Sequence, residues 1–410
     1  MPWKRRPFYG RDIASTHNIA DLRAVARRRV PGFVFEYVEG GAEEEASLNG
    51  NRAAFGALRF VPPTLIDTEG RSVGTELFGA PCGAPLAIAP TGLNGMLYPH
   101  GDIALARAAA AFGIPFTLST LSTTLLEDVA SQAGGRLWMQ LYVMKNRAIA
   151  EDIMHRAAAA GYEALLFTTD ANVFGSREWD KRNYRKPGKP RARAALDALR
   201  HPRWLAQVLA RHGVPRFRNI EKFLPPGAAS AVGGSTIIPQ MFAPTLTWAD
   251  IAWVREHWPR KLLIKGVLTV ADARRAASLG CDGIVLTNHG GRQLDYCVAP
   301  IEVLGEIAAE VGDRLTVLID SGVRRGTDIA KALALGADAV MVGRATLYGL
   351  AAAGEPGVTR ALEMLTVELD RVMGQLGCRS VADIGPHLLR GRCGTQSGRT
   401  DDHDPAMGEH

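Results

Sequence analysis

The stretch TVLIDSGVRRGTDIAKALALGADAVMVGR, Thr316 to Arg344, joins an apolar run, a glycine-rich basic turn, an alanine-rich helical segment closed by a glycine, and a second apolar run. Runs of Val, Ile and Leu without polar alternation suit parallel strands buried on both faces. The segment between them, DIAKALALG, has a glycine where a left-handed helix C-cap is wanted. Outward from this unit the alternation repeats from about residue 85 to 375. The runs are PLAIAP (85–90), PFTLST (115–120), LWMQLYV (137–143), ALLFTTD (164–170), KLLIKG (261–266), GIVLTN (283–288), TVLIDSG (316–322) and AVMVG (339–343). ALARAAAAFG and DARRAASLG close on glycine in the same way. Eight such units predict an α/β fold, a closed (β/α)8 barrel over 85–380 rather than an open sheet. The regular spacing breaks once, at an insertion over 171–246 after the fourth strand. A helical segment, 1–84, precedes the barrel, and the tail 394–410 reads as disordered.

With 47% hydrophobic and 22% charged residues, 410 residues are ample for a large core. No stretch reaches the roughly 18 apolar residues of a membrane span, and the basic start MPWKRRPFYG lacks the apolar centre of a signal peptide, so a cytoplasmic home is expected. Five cysteines without CxxC or metal-ligand spacing argue against a disulfide framework or a metal site. The formal charge of +6 matters less than where it lies.

Barrel enzymes place their chemistry at the C-terminal ends of the strands. Here those ends carry Pro90, Thr91 and Gly92; Ser119; Gln140 and Tyr142; Thr168 and Asp170; Lys265; Thr287, His289 and Arg292; Asp320 and Gly322; and Gly343 and Arg344. A single Ser or Thr at such a place is more often a turn residue, and a single buried His is more often just hydrogen-bonded. Eight coincident polar ends are a different matter. The turns SGVRRG and VGR after the last two strands stand where barrels bind phosphate on backbone N–H groups and a helix N-terminus. Arg324, Arg325 and Arg344 at those helix starts are unfavourable beside the positive dipole end, and an anion removes the conflict. A phosphorylated ligand is expected. A phosphate-binding isomerase or lyase, or a barrel used only for binding, fits these observations.

The motifs EYVEGGAEEE, IAPTGLNG, LWMQLYV, LLIKGVLT, NHGGRQLD, LIDSGVRRGTDIAKALALGAD and VGRATLYGLAAAGE resemble, in order, those of the FMN-dependent 2-hydroxy-acid dehydrogenases and oxidases. TTDANVFGSRE, HPRW and RHGVP add a likeness to the mandelate-dehydrogenase branch. The resemblance implies FMN and oxidation of an (S)-2-hydroxy acid to the 2-oxo acid. It makes His289 the base, Asp170 its carboxylate partner, Arg177 and Arg292 the grip on the substrate carboxylate, and Tyr37 and Tyr142 hydrogen-bond partners of the carboxylate and the 2-hydroxyl oxygen. For the cofactor it implies Lys265 beside the pyrimidine edge of the ring, Pro90, Thr91 and Gly92 near its N5 side, and Ser119, Gln140, Thr168 and Thr287 at its edge. Asp320 would reach the ribityl hydroxyls, with Gly322, Arg324, Gly343 and Arg344 around the phosphate. Residue chemistry agrees: a neutral imidazole accepts a proton near pH 7, and guanidinium forks match carboxylates. Leu121 stands where plant glycolate oxidases of the family carry tryptophan, and Gly92 where they carry alanine, which favours a larger substrate such as a mandelate-like acid; L-lactate dehydrogenase and oxygen-using oxidase readings stay open. The resemblance also implies a homotetramer and no nucleic-acid partner.

Between Lys181 and Lys222 the insertion is strongly basic, with Lys181, Arg182, Arg185, Lys186, Lys189, Arg191, Arg193, Arg200, Arg203, Arg211, Arg216, Arg218 and Lys222 against Asp197 and Glu221. Trp204, Leu205, Val208, Leu209, Phe217, Phe223 and Leu224 interleave with them, a mixture expected of an interfacial amphipathic helix or of a solvated flap over the active site. The resemblance favours peripheral attachment to the inner face of the cell membrane, with a membrane quinone or similar acceptor taking the electrons.

Overall fold

The computed structural model describes residues 8–186 and 189–391. Eight parallel strands, β1 (Leu86–Ile88), β2 (Phe116–Leu118), β3 (Leu137–Leu141), β4 (Ala164–Thr168), β5 (Lys261–Val267), β6 (Gly283–Leu286), β7 (Thr316–Ile319) and β8 (Ala339–Val342), close into a barrel. β8 completes the ring against β1, with Val340 opposite Leu86 and Val342 opposite Ile88. Each strand lies within its expected run except β5, which extends one residue further to Val267. Nearly every strand residue is buried, which is why the runs show no polar alternation. The three expected helix stops at Gly113, Gly280 and Gly336 are all left-handed.

Residues upstream of β1 form α1 (Ile19–Arg29), α2 (Gly32–Glu39) and α3 (Ala46–Ala57). Asn18 caps α1 through the Asp21 N–H, and α1 buries Ile19, Leu22, Val25 and Ala26. It packs on α4 (Arg344–Ala353), which follows β8 and precedes the long α5 (Glu355–Gln375). Val34, Phe35 and Val38 are the buried face of α2. The chain then runs across the C-terminal mouth of the barrel, where Ala42 N–H donates to the Gly291 carbonyl at 2.8 Å.

The insertion is folded onto the barrel. Trp204, Val208 and Phe217 are buried, and Leu205, Leu209, Phe223 and Leu224 pack partly against the core. Trp204 Nε1 donates to the Met96 carbonyl at 2.7 Å, and Asn219 joins the N-terminus of the helix Leu126–Ala133 to the carbonyl of Thr124. The expectation that these apolar side chains face an interface is therefore corrected, because the barrel itself offers the apolar surface they need. The insertion leaves exposed, among other residues, the face of the helix Ala192–Leu199 that carries Arg193, Leu196 and Leu199, with Arg200, Arg203, Arg211 and Val214 nearby in sequence. No helix of the described residues is long and apolar enough to cross a membrane. The tail 394–410, expected to be disordered, lies outside the described residues.

Candidate active site at the barrel mouth

The loop after β6 organises the mouth. His289, Gly290 and Gly291 are left-handed in succession, with φ of 57°, 67° and 71°. For histidine this conformation is strained, and the loop holds it by a hydrogen bond from His289 N–H to Thr287 Oγ1 at 2.9 Å. At Gly291 a Cβ would stand 2.4 Å from the backbone nitrogen of Leu48, so only glycine lets α3 come this close. Asp295 secures α3 from outside, its carboxylate accepting from the N–H groups of Glu44, Ala46 and Ser47. This is an N-terminal cap supplied from about 250 residues away in sequence. Asn51 and Asn288 exchange a reciprocal pair of amide hydrogen bonds at 2.8 and 2.7 Å, both buried. Sequence reasoning missed Asp295, Asn288 and Asn51 as structural residues.

A cleft opens beneath this roof. Its lining includes Tyr37, Pro90, Thr91, Gly92, Ser119, Tyr142, Arg177, Lys265, His289, Arg292, Asp320, Gly322, Arg324, Gly343 and Arg344, so fifteen of the expected residues meet around one space. Asp170, Gln140, Thr168 and Thr287 stand one layer behind. Gln140 is buried and bonded to Thr168 Oγ1 at 3.0 Å and to Thr120 N–H at 3.1 Å, and it steadies the Ser119 hydroxyl. Thr287 joins Lys265, His289 and Asp320.

His289 Nδ1 lies 2.9 Å from Asp170 Oδ1, which leaves Nε2 for the cleft. Burial lowers the imidazole pKa from 6.5, the charges of Lys265 and Arg177 add to the effect, and Asp170 opposes it. The ring is a neutral base at pH 7, with its Nδ1–H directed at Asp170. Burial disfavours the Asp170 carboxylate, but His289 and Lys265 outweigh it and hold its pKa below the usual value. Lys265 is 3% exposed and sits 3.1 Å from Asp320; the charges of Asp320 and Asp170 overcome burial and keep it an ammonium.

Opposite this pair the cleft carries excess positive charge. None of Arg177, Arg292, Arg324 and Arg344 has a carboxylate within 4.0 Å among the described residues. Burial together with Arg177 and Arg344 pushes the Arg292 pKa down to about 9, and burial and Arg324 bring Arg344 to about 10. Crowded guanidiniums of this kind call for anions. Arg292 is tied to the Gly40 carbonyl at 2.6 Å and lies over the Tyr37 ring. Arg344, expected at a phosphate, donates to the carbonyls of Val38, Gly40 and Gly290, so it also fastens the roof. Tyr37 Oη donates to the Gly92 carbonyl at 3.1 Å. Leu121 and Phe174 form an apolar wall.

A family model described as FMN-dependent dehydrogenase matches residues 26–391. The (S)-mandelate dehydrogenase of Pseudomonas putida is 44% identical over 394 residues, covering 96% of this chain and 98% of that protein. A putative L-lactate dehydrogenase of Mycobacterium tuberculosis is 41% identical over 378 residues, 92% of this chain and 89% of that one. A crystal structure of (S)-mandelate dehydrogenase, described as a monotopic membrane protein, superposes with a TM-score of 0.88 at 44% identity, covering 92% of this chain and all of that one.

Proposed function

Since the chain belongs to the FMN-dependent dehydrogenase family, we propose that it oxidises an (S)-2-hydroxy acid with an aryl side chain, a mandelate-like acid, to the 2-oxo acid. The observation that carries this reading is a neutral, carboxylate-oriented His289 in one cleft with two unpaired arginines, Arg177 and Arg292. The residues present also fit the cofactor. A buried ammonium, Lys265, lines the cleft; four lining residues are the glycines Gly92, Gly290, Gly322 and Gly343, which leave bare backbone for a flat ring; and Arg324 with the start of α4 answers a phosphate. FMN, when bound, supplies the acceptor for the two electrons that leave the substrate.

Arg177 and Arg292 hold the substrate carboxylate, and Tyr37 is within the same wall. Tyr142 and His289 then face the 2-hydroxyl carbon, and His289 Nε2 takes a proton from the substrate while Asp170 stabilises the imidazolium. Lys265, a buried ammonium, would be among the residues that hold FMN and would offer positive charge to it. Leu121 and Phe174 receive the aryl group, and Gly92 leaves it room. Anaerobic mixing of the FMN-loaded protein with (S)-mandelate, L-lactate and glycolate tests the reading: mandelate should bleach the flavin fastest, and a preference for glycolate would overturn it.

The pH dependence follows from His289. The base works only when unprotonated, so kcat/KM is full above its pKa and falls as pH drops through it. With that pKa lowered, the acid limb is expected below pH 6.5. Asp170 raises the pKa, so Asp170→Asn should move the limb to still lower pH as well as slow the reaction. A limb above pH 7 in the unaltered protein would contradict the assignment.

We further propose that the exposed face of the insertion attaches the enzyme to an anionic membrane and that a quinone there accepts the electrons. Leu196 and Leu199 are 64% and 66% exposed and lie one turn apart, flanked by Arg193 and Arg200. Each basic side chain near an anionic surface contributes about 1 kcal/mol, and the leucines add an attraction that salt does not screen. Leu196→Ser combined with Leu199→Ser should release the protein from anionic liposomes at moderate salt without loss of FMN. Unchanged sedimentation would place the contact elsewhere. In solution a homotetramer is expected, which sedimentation equilibrium tests.

A further inference from the structure

Phe242 does not line the cleft, yet two residues that do, Tyr142 and Phe174, rest on it. Its ring centroid is 4.9 Å from that of Tyr142 at an interplanar angle of 59°, and 4.7 Å from that of Phe174 at 78°. Phe242 itself is 4% exposed. It sits at the far end of the insertion, immediately after the helix Ala231–Met241, and its backbone is anchored to the segment following β3. Phe242 pairs there with Met144, and Lys145 N–H donates to the Met241 carbonyl at 2.8 Å. Phe174 belongs to the near end of the same insertion, four residues past Asp170. Its neighbour Gly175 donates to Gln293 Oε1 at 3.0 Å and lies so close to the carbonyls of Arg292 and Gln293 that a Cβ would stand 2.4 Å from each. The backbone at Phe174 is pressed against the β6 loop, so the position of its ring is set by what stands behind it, and that is Phe242.

We propose that Phe242 is a specificity-determining residue that holds the Phe174 wall and the Tyr142 ring at the spacing a flat aryl side chain needs. The proposal rests on the aryl-acid reading above. Edge-to-face and tilted ring pairs at these separations are attractive and directional, so Phe242 fixes both rings at once from a place the substrate never touches. Removing its ring opens a space behind the wall into which Phe174 turns, and the aryl group loses one of its two faces. A small acid held through its carboxylate by Arg177 and Arg292 does not reach that wall. Size discrimination in apolar pockets is sensitive to changes of this scale.

The test compares Phe242→Ala, Phe242→Leu and Phe242→Tyr in the FMN-loaded protein. Binding of the 2-oxo acids benzoylformate and pyruvate is measured by calorimetry, and kcat and KM are measured for (S)-mandelate and L-lactate. Phe242→Ala should weaken benzoylformate and raise KM for mandelate on the order of tenfold more than it weakens pyruvate or lowers lactate kcat/KM, since the small acids share the Tyr142 contact but not the Phe174 wall. Phe242→Leu should fall between, and Phe242→Tyr should keep the ratio of the unaltered protein. Equal losses for both acids would reduce Phe242 to a general packing residue, and no change for either would remove it from specificity altogether; both outcomes overturn the proposal. The unaltered protein judges the aryl reading by itself, since a preference for lactate there sinks that reading. The variant-to-parent ratio still decides the role of Phe242.

Discussion

Replacing His289 by glutamine is expected to leave a yellow protein that 2-hydroxy acids no longer bleach. The change removes the group in the cleft that is neutral, basic at pH 7 and aligned by a carboxylate, while Lys265, Arg324 and the glycine turns proposed to hold the cofactor are untouched. A positioned general base contributes about 10²–10⁴ in rate, and the loss should fall on kcat and kcat/KM together because the interaction belongs to the transition state. Stopped-flow reduction by (S)-mandelate measures it. A near-normal rate in His289→Gln would reassign the base, and loss of FMN from the variant would show that the strained loop at Thr287–Gly291 cannot tolerate the substitution.

The second large effect is expected at Arg292. Lysine keeps the charge but loses the planar fork, and it also loses the bond from Nη1 to Gly40 that aims the group. Charge-assisted hydrogen bonds contribute about 1.5–3 kcal/mol each, so Arg292→Lys should lower kcat/KM on the order of a hundredfold, mostly through KM. Arg324→Ala should behave in the opposite way: substrate KM is kept and FMN is lost on dilution, because this side chain belongs to the turn after β7 proposed for the phosphate, whereas Arg177 follows β4. Titrating apoprotein with FMN separates the two. If Arg292→Lys lost FMN while Arg324→Ala held it, the two anion sites would have to be exchanged.

Much of the fold was legible because the signal is local. A strand buried on both faces has to be apolar throughout, and a helix that turns back to the sheet stops at a left-handed glycine, so eight units could be read off the chain one at a time. The arginines at helix starts were visible as a conflict for a similar reason, although Arg325 resolves it against Glu368 at 2.9 Å and not against a ligand. Other features depend on partners that no local pattern announces. Asp295 caps α3 across 248 residues at Ser47, and Asn288 meets Asn51 across 237. Neither polar residue carries a mark that distinguishes it from a loop residue. Which apolar residues of the insertion face the barrel was hidden for a sharper reason. An amphipathic segment lying on a barrel and one lying on a lipid surface have the same sequence pattern, and Trp204, Val208 and Phe217 proved to be buried on the barrel while Leu196 and Leu199 stayed outside.

The fastening of the roof also sets an order of events during synthesis. Arg344 reaches back 306 residues to the Val38 carbonyl, and Tyr348 reaches 309 residues to Glu39. At about 5–20 residues per second, a ribosome needs on the order of 15–60 s to deliver those partners after α2 has emerged. Through that interval Ile19, Leu22, Val34, Phe35 and Val38 have no barrel to cover them, and the nascent chain carries an open apolar segment. The mouth, with Tyr37 in it, can assemble only after β8 leaves the ribosome, so cofactor capture belongs to the last stage of the chain's maturation.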